Sequence, residues 1–576
     1  MFWFSFNRIF TSIILLLFLS CTNTKGKTIV LKAGDSINQA IQNANEGDTL
    51  QLHGGVYREK IILNKSGIVI QSFPKEKVIV SASEEIKGFV ETKKNFYKAY
   101  CKKEVYQLFK NNKMLFPARW PNFDSSMYST KNWKKLFTTK DSTYFADSTL
   151  KNINLSGALV YAIAGKKWVV NVEQVEKGNS IAMKMRNHWF NSKNGWYTGK
   201  GEGYVLKHLA VLDTLDEWHW QKDTLYLMSA EKPQNITAQT EEIILEGSNV
   251  NNVIIRNISF FSGQLKLKNA EHVIFDNVDF KYGTAPKIYD YSNGASYANI
   301  QFTGDCEGCE VINSRVDGNW GGGIYTEGKG TLITNCKITN SNWIGNGTSA
   351  IALVGKDHVV SFCDLSYSGK FLIVHNAASH VTIKNNHLHH AGYLANDLGL
   401  TYCYDTDGDN SEIAYNVVHD NEAKEAGVGI YIDMEGKKFL IHHNVVWNCT
   451  NGIQTVMNAY DHEIYNNTIW NCGKAINYWG VDGSNMYNQK VYNNLANDIF
   501  DAGTDIQNNL STGVDYFVDL KNHDFRLKQN SPALDYGVYI PGINEDIVGE
   551  KPDAGAFEWG APLWKYGYDS TLIQNN

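Results

Sequence analysis

The sequence predicts an all-β protein built on a right-handed parallel β-helix, because one short phrase recurs through its second half. From about residue 250 the phrase runs as an apolar residue, a variable residue, Asn, a small residue or a second Asn, and an apolar strand. Copies include IIRNISF, IFDNVDF, LITNCKI, IKNNHL, IAYNVV, IHHNVV and IYNNTI, and most neighbours lie roughly 20 to 30 residues apart. Repeats of this length, with β-branched runs broken by Asn and Gly, indicate a solenoid of strands.

A recurring Asn is the second observation that favours this fold. It occupies equivalent positions in successive repeats, at Asn386, Asn416, Asn444, Asn467 and Asn494. Asn tolerates left-handed backbone and bonds to nearby main chain, so a stacked Asn column fits a recurring tight turn.

The positions of several cysteines fit the same repeat. Cys336 and Cys363 fall in the Asn column and are therefore expected in the core. Cys306 and Cys309 form a CxxC pair, but no second pair of Cys or His completes a zinc pattern. We expect either a local disulfide or simple packing at that pair.

The N-terminus reads as an export signal. Arg8 precedes an apolar run from Ile9 to Leu19, which is short for a bilayer span, and Ser20 and Cys21 follow. Residues 1–20 therefore look like a bacterial lipoprotein signal, with Cys21 as the lipidated residue. Ordinary signal cleavage and a short membrane anchor are the alternatives. We expect an exported, lipid-anchored protein of the cell envelope, at the outer membrane or in the periplasm, that contacts membrane only through this anchor.

Four segments are predicted after the signal. Residues 21–103 contain an amphipathic helix from Ser36 to Ala44, suited to plugging the open end of the core, and the first coils. Residues 104–245 interrupt the repeat with alternating strands rich in Trp and Tyr, which predicts an inserted β-sandwich or small barrel. Residues 246–530 form the main β-helix. Residues 531–576 are expected to cover the last coil, because an uncapped edge invites aggregation.

Composition narrows the classes of molecule that the protein is expected to bind. A net charge of -6 gives no reason to expect nucleic acid. Aromatic residues make up 12% of the chain, including 15 Trp and 31 Tyr, and exposed aromatics often line carbohydrate clefts. We expect a monomer that binds a polysaccharide or oligosaccharide.

The stretch GVGIYIDMEG, residues 427–436, is the strongest candidate for chemistry. Alternation in an extended strand would place Tyr431, Asp433 and Glu435 on one side and apolar residues on the other. Aligning Ile430 with Leu372, Leu400, Ile453 and Ile476 predicts the neighbouring outward residues, which are His375, Thr401, Cys403, Asp405, Gln454, Asn458, Asn477 and Trp479.

Two carboxyl groups on one face match the needs of glycoside hydrolysis, in which one is protonated and the other is basic or nucleophilic. Asp433 is the leading catalytic candidate, and Asp397, Asp405 and Glu435 compete as its partner. A merely solvated sheet face is the alternative. The predicted sugar-binding residues are His375, Tyr431, Gln454, Asn458, Asn477 and Trp479. Neither retention nor inversion is favoured by this pattern.

No cofactor is required by this chemistry, but the acidic run of Asp405, Asp407 and Asp409 is an alternative calcium-binding loop. The segment lacks the spacing of a twelve-residue EF-hand.

Several segments carry a resemblance to a known group. AGDSINQAIQNANEGDTLQLHGGVYRE, the repeated phrase and PDAGAFEWG resemble the pectin-lyase-like right-handed β-helix superfamily. PARWPN, LDEWHWQKDTLYL and GIYIDMEGKKFLIHHNVVWN are similar to exported bacterial β-helix glycoside hydrolases of the fucosidase- and xylanase-like type with an inserted β domain. The resemblance implies cleavage of a glycosidic bond in a complex polysaccharide.

Two other functions stay open, because the superfamily also contains lyases and binding proteins. A polysaccharide lyase, assisted by calcium, would need a base and a cation near the substrate carboxylate. The predicted face offers Tyr431 and His375 but no Lys or Arg, with Arg315, Lys356 and Lys370 as outlying candidates. A non-catalytic glycan-binding lipoprotein would need no carboxyl pair.

Overall fold

The computed structural model describes residues 26–573 with gaps at 140–141, 186–197, 284, 287–296, 482–483, 485–486 and 501–503. The predicted signal of residues 1–20 and Cys21 lie outside the described residues. Among the described residues, no helix is both long and apolar enough to cross a membrane.

Three long parallel sheets form the predicted β-helix. Sheet A comprises Thr28–Leu31, Thr49–Leu52, Val69–Ser72, Asn251–Arg256, Glu271–Asp276, Glu310–Ile312, Leu332–Thr334, Val359–Ser361, Thr382–Lys384, Asp407–Ala414, Lys437–His442, Glu463–Tyr465, Gln489–Tyr492 and Thr504–Gln507. Sheet B comprises Ile61–Leu63, Ile243–Ser248, Gln264–Lys268, Ala298–Thr303, Gly322–Thr326, Ser349–Leu353, Phe371–Val374, Leu398–Cys403, Gly427–Ile432, Asn451–Val456 and Lys474–Trp479. Sheet C comprises Gly55–Tyr57, Val78–Ser81, Ile258–Phe261, Asp279–Lys281, Arg315–Asp317, Lys337–Ser341, Asp364–Ser368, His387–Ala391, Val417–Asn421, Val445–Trp447 and Thr468–Trp470. Each coil runs through sheets A, C and B in that order, and the inward residues form one continuous apolar core.

The insertion consists of two further sheets. The first contains Ser83–Glu85, Val90–Lys93, Phe96–Tyr100, Gln107–Lys110, Lys113–Pro117, Glu217–Gln221, Thr224–Met228 and Ile236–Gln239. The second contains Arg119–Trp120, Lys134–Thr138, Ser142–Phe145, Leu159–Ala164, Asn171–Asn179, Ala182–Met185 and Gly199–Leu206. Pairing of Gly199–Leu206 with Leu159–Ala164 closes the second sheet into a small barrel, which selects the barrel over the sandwich. The chain leaves the β-helix after Val78–Ser81 and returns at Ile243–Ser248.

The N-terminal helix occupies Ile37–Asn43, close to the predicted limits. Ser36 caps it by accepting a hydrogen bond from the backbone N of Gln39 at 3.2 Å. Ile37, Ala40 and Ile41 are buried against the first coil, so the helix closes that end of the core. The 3₁₀ helices of the described residues are Leu209–Val211, Val514–Tyr516, Leu520–Asn522 and Ser570–Ile573, and short strand pairs join Gly355–Lys356 to Ala378–Ser379 and Phe517–Asp519 to Asp524–Leu527.

The Asn column forms a hydrogen-bonded ladder at the turn between sheets A and C. Asn416 Oδ1 accepts hydrogen bonds from both the backbone N and Nδ2 of Asn386, at 2.9 and 3.0 Å, and the same pattern links Asn416 to Asn444. The left-handed residue is the one before the ladder Asn, such as Asn385 with φ 59° or Tyr415 with φ 55°. The ladder side chain therefore points into the core and satisfies the backbone of the turn.

The cysteines are packed rather than bridged. All eight in the described residues are free thiols, and Cys306 and Cys309 are fully buried. Of the two expectations for the CxxC pair, simple packing is confirmed and a local disulfide is wrong.

Candidate functional site

The register of sheet B decides which residues face outward. Ile430 pairs with Thr401 on one side and Ile453 on the other, and Thr401 pairs with Ile373. The expected partners of Ile430, Leu372 and Leu400, are therefore wrong by one residue. A one-residue slip exchanges the two faces of a strand, so the outward column consists of Tyr325, Ala352, Val374, Tyr402, Tyr431, Gln454 and Asn477.

His375, Thr401 and Cys403 accordingly lie inside the β-helix, each with no exposed surface. The His375 ring packs edge-on against Phe439 with centroids 5.6 Å apart, and neither ring nitrogen has a hydrogen-bond partner among the described residues. Burial lowers the pKa of His375 to about 3, which keeps the imidazole neutral. The prediction that these residues face outward is wrong.

Three other predicted residues lie in the turn that follows sheet B. Asp405, Glu435 and Asn458 are exposed and have φ of 45°, 61° and 60°. The backbone N of Asp405 donates to the carbonyl of Met434, and the backbone N of Glu435 donates to that of Met457, so the three stack in successive coils. They form a left-handed turn column rather than part of the strand face, because the strand of Glu435 ends at Ile432.

Asp433 sits directly after that strand and is 9% exposed. Its carboxylate accepts two hydrogen bonds, from the backbone N of Met434 to Oδ1 and from the hydroxyl of Tyr402 to Oδ2, both at 2.8 Å. Tyr402 belongs to the preceding coil, and its ring packs against Phe371 with centroids 4.6 Å apart. The carboxylate is thus held by its own turn and by the neighbouring coil.

Asp397 reaches the same place from the loop before the strand Leu398–Cys403. Its backbone is left-handed, with φ 55°, and its N donates to the carbonyl of Glu425. Oδ1 accepts a hydrogen bond from the hydroxyl of Tyr431 at 3.2 Å. The rings of Tyr431 and Tyr402 meet edge to face at 5.4 Å, so each carboxyl group is bonded by one of two touching tyrosines.

The two carboxyl groups influence each other electrostatically. Burial raises the pKa of Asp433, with a further rise from the charge of Asp397, while the hydrogen bonds from Met434 and Tyr402 and the charge of Lys370 oppose the rise. Burial also raises the pKa of Asp397, opposed by Lys370 and by the bond from Tyr431. Asp433 receives the larger number of hydrogen bonds and is the better stabilised carboxylate.

Lys370 supplies a cation that sequence reasoning left outside the predicted face. It is 4% exposed, and its Nζ donates to the backbone carbonyl of Trp168 at 2.5 Å and lies 4.5 Å from the Phe371 ring centroid. Burial lowers its pKa to about 8, against the opposing charges of Asp397 and Asp433. Lys370 therefore titrates close to physiological pH.

The inserted barrel forms one wall of the site. One barrel loop presents the Trp168 carbonyl to Lys370. In the same loop, the Lys167 carbonyl accepts a hydrogen bond from the backbone N of Asn396 at 2.9 Å. The backbone N of Val170 donates to the Gly345 carbonyl at 3.0 Å. The insertion therefore fixes the loop that carries Asp397.

The predicted sugar-binding residues continue the outward face beyond Tyr431. Gln454 follows Tyr431 in the column, and its Oε1 accepts hydrogen bonds from Asn451 and, at 2.9 Å, from Asn477. Trp479, at the end of the next strand, is 52% exposed. An exposed indole beside bonded amides is a surface on which a sugar ring can stack.

The acidic run fits calcium poorly. The Asp407 carboxylate pairs with the Nζ atoms of Lys437 and Lys438 at 3.4 and 3.2 Å. Among the described residues, the clusters of three side chains close enough to share an ion do not include Asp405, Asp407 or Asp409.

Comparison with known proteins finds one matching family model and several similar solved structures. A family model described as a right handed beta helix region matches residues 298–469. A solved structure titled "Glycoside hydrolase" is 13% identical, with 75% of this chain and 88% of that chain covered and a TM-score of 0.59. The pectate lyase Pel9A is 12% identical over 93% of this chain and 97% of its own, with a TM-score of 0.35. PfbA, a surface adhesin of Streptococcus pneumoniae, is 12% identical over 78% and 89%, with a TM-score of 0.37. A search among curated proteins finds no match.

The stacked coils and the matched region define a right-handed parallel β-helix protein. This is the fold that the resemblance in the sequence implied.

Proposed function

We propose that this protein is a carbohydrate-active enzyme, and specifically a glycoside hydrolase that cleaves a complex polysaccharide. The observation that carries the proposal is the pair of Asp397 and Asp433, two largely buried carboxyl groups whose pKa values are both raised. Two such groups in one electrostatic field favour a state with one proton between them. That state is the one glycoside hydrolysis requires.

The hydrogen bonds suggest a role for each carboxyl group. Asp433 accepts bonds from Met434 and Tyr402, which stabilise the ionised form, so we assign it as the nucleophile or base. Asp397 accepts one longer bond, from Tyr431, and we assign it as the acid that protonates the leaving oxygen. The likeness to a structure titled "Glycoside hydrolase" agrees with this class of reaction.

A polysaccharide lyase is the second candidate, and Lys370 is the observation that favours it. A buried lysine with a pKa of about 8 can be neutral at mildly alkaline pH and can then accept a proton from a uronate ring. The hydrolase is preferred because Lys370 Nζ is already committed to the Trp168 carbonyl and the lysine is 4% exposed.

We also propose that the protein is exported and lipid-anchored through Cys21 in the cell envelope. Export of this kind would place the site where extracellular or periplasmic polysaccharides are met. Labelling with a radioactive fatty acid in the native cell, compared between the wild type and Cys21→Ser, tests the anchor without reference to activity.

The product chemistry tests the reaction. The purified protein is incubated with neutral and uronate-containing polysaccharides, while reducing ends and the absorbance of unsaturated uronates are followed. Reducing ends without absorbance are expected, and the reducing ends should no longer form in Asp433→Asn. Absorbance in step with reducing ends would overturn the hydrolase in favour of the lyase. Binding without any cleavage, unchanged in Asp433→Asn, would identify a glycan-binding protein instead.

A further inference from the structure

Sheet C carries a second cluster of reactive side chains, away from the carboxyl pair. Three successive strands, Asp364–Ser368, His387–Ala391 and Val417–Asn421, pair in parallel and project them from adjacent coils. The cluster, called here the histidine ring, consists of four imidazoles and two carboxylates, Asp364, His387, His389, His390, His419 and Asp420. All six are half-buried.

The six side chains form a closed circuit. Asp364 lies 3.3 Å from His387 Nδ1 and 3.7 Å from His389 Nε2. Asp420 lies 2.7 Å from His419 Nδ1 and 3.7 Å from His390 Nε2.

Two contacts between imidazole nitrogens complete the circuit. The Nε2 atoms of His387 and His419 are 2.8 Å apart, and the Nδ1 atoms of His389 and His390 are 2.7 Å apart.

The tautomers of His387 and His419 decide whether their Nε2 atoms share a proton or present opposed lone pairs. When His387 and His419 each donate their Nδ1 proton to a carboxylate, both Nε2 atoms present lone pairs at 2.8 Å. Carboxylates that fix a histidine tautomer in this way are the usual partners of metal-binding imidazoles. A cation with affinity for imidazole would relieve the repulsion.

We propose that the histidine ring is a binding site for a divalent transition metal ion of the zinc class. It contains two triads of ligand atoms, Asp364 with His387 and His389, and His390 with His419 and Asp420, and the atoms of each triad lie within 4.8 Å of one another. Zinc bonds of 2.0–2.2 Å in a tetrahedron place ligand atoms about 3.3–3.6 Å apart, so small side-chain rotations close either triad. Neutral imidazole with carboxylate is a donor set that suits zinc and its neighbours rather than calcium.

The surroundings assign the ion a structural role. The Trp447 ring stacks on His419 with centroids 4.1 Å apart, and Tyr566 from the C-terminal tail meets the His387 ring edge-on at 5.7 Å. The tail is bonded to the same region, because the backbone N of Gly567 donates to Asn385 at 2.9 Å. An ion in either triad would therefore join two adjacent coils and stiffen the surface against which the tail packs.

Zinc binding by the full mature chain, produced without a polyhistidine tag, tests the proposal. After removal of metal by chelation, titration with Zn²⁺ is followed by calorimetry, and Co²⁺ is used separately for its visible spectrum. We expect saturable Zn²⁺ binding, a higher melting temperature with Zn²⁺, and Co²⁺ bands typical of nitrogen and oxygen ligands. The double variant His387→Gln/His419→Gln should weaken Zn²⁺ binding by more than about tenfold.

Two further variants keep the test decisive. His380→Gln removes an exposed histidine that contacts a single carboxylate, Asp357 at 2.7 Å, and should leave Zn²⁺ binding unchanged. His390→Gln, at the most exposed member of the ring, provides a milder change if the double variant does not fold. Absence of saturable binding in the wild type, or binding that survives in both ring variants, overturns the proposal. None of these measurements depends on glycan cleavage.

Discussion

The Tyr402 hydroxyl donates a hydrogen bond to Asp433 Oδ2 at 2.8 Å, from one coil of the β-helix to the next. An equivalent bond, from Tyr431 to Asp397 at 3.2 Å, serves the second carboxyl group. Each tyrosine thus lowers the pKa of one carboxyl group, against the rise caused by burial. The two limbs of a pH–activity profile can therefore be shifted separately.

Tyr402→Phe should move the acidic limb alone. Loss of the hydrogen bond raises the pKa of Asp433, so the base becomes ionised at a higher pH, by about one pH unit. The measurement is kcat/KM on a soluble oligosaccharide as a function of pH. Tyr404→Phe, at a neighbouring residue that is 45% exposed, is the control. An unchanged acidic limb would mean that Asp433 is not the ionised catalytic group.

Tyr431→Phe should move the alkaline limb alone. Its bond favours the ionised form of Asp397, so removal raises the pKa of Asp397 and keeps the acid protonated to higher pH. The same profile is measured beside Tyr402→Phe. If Tyr431→Phe shifted the acidic limb and Tyr402→Phe the alkaline one, the roles of the two aspartates would be reversed.

Asp397→Asn should lose activity according to the leaving group. General acid catalysis contributes about 10²–10⁴-fold, and that contribution matters most when the leaving oxygen is strongly basic. We therefore expect a large loss on natural glycosides and a small one on aryl glycosides with acidic phenols, measured as kcat/KM. Glu435→Gln, in the exposed turn, should retain full activity on both. Equal losses of Asp397→Asn on both substrates would argue against an acid role.

The repeat and the outward placement of Asp433 could be predicted from the sequence because both depend on local pattern. Asn at a fixed offset marks most of the turns, and the alternation in GVGIYID separates one apolar face from one polar face. Asp397 was a candidate because it precedes the next strand.

The register of two strands of sheet B could not be predicted from the sequence. The sequence pattern allows the strands FLIV and LGLTYC to pair with their neighbours in either of two registers. In the register of the structure, Thr401 and His375 face the core, although pattern reasoning assigns such polar residues to the outside. Tyr402 was missed as a consequence.

Lys370 was predicted only as an outlying candidate, for a different reason. Its partner, the Trp168 carbonyl, belongs to the insertion and is 202 residues away in the chain. No periodicity links a backbone carbonyl in a barrel loop to a lysine in a β-helix turn, so only the folded chain brings them together.

Lys370→Met separates the two candidate reactions. In a hydrolase the Lys370 charge lowers the pKa of both carboxyl groups, so its loss should move both limbs of the profile to higher pH while activity persists. In a lyase the neutral amine is the base, so wild-type activity should rise through pH 8 and Lys370→Met should abolish it. The profile is measured with a uronate polymer and a neutral polymer in parallel. A profile unaffected by the substitution would place Lys370 outside the site.

Asn444→Ala should destabilise the whole β-helix. Asn444 is fully buried, its Nδ2 donates to the Ile413 carbonyl at 2.8 Å, and its Oδ1 accepts from the backbone N of Asn416 at 3.1 Å. Alanine leaves those buried groups unpaired, at a cost of about 2–4 kcal/mol in the free energy of unfolding. Denaturant titration measures the change, with the exposed Asn530→Ala as control. A loss below about 0.5 kcal/mol would mean that the ladder does not stabilise the turns.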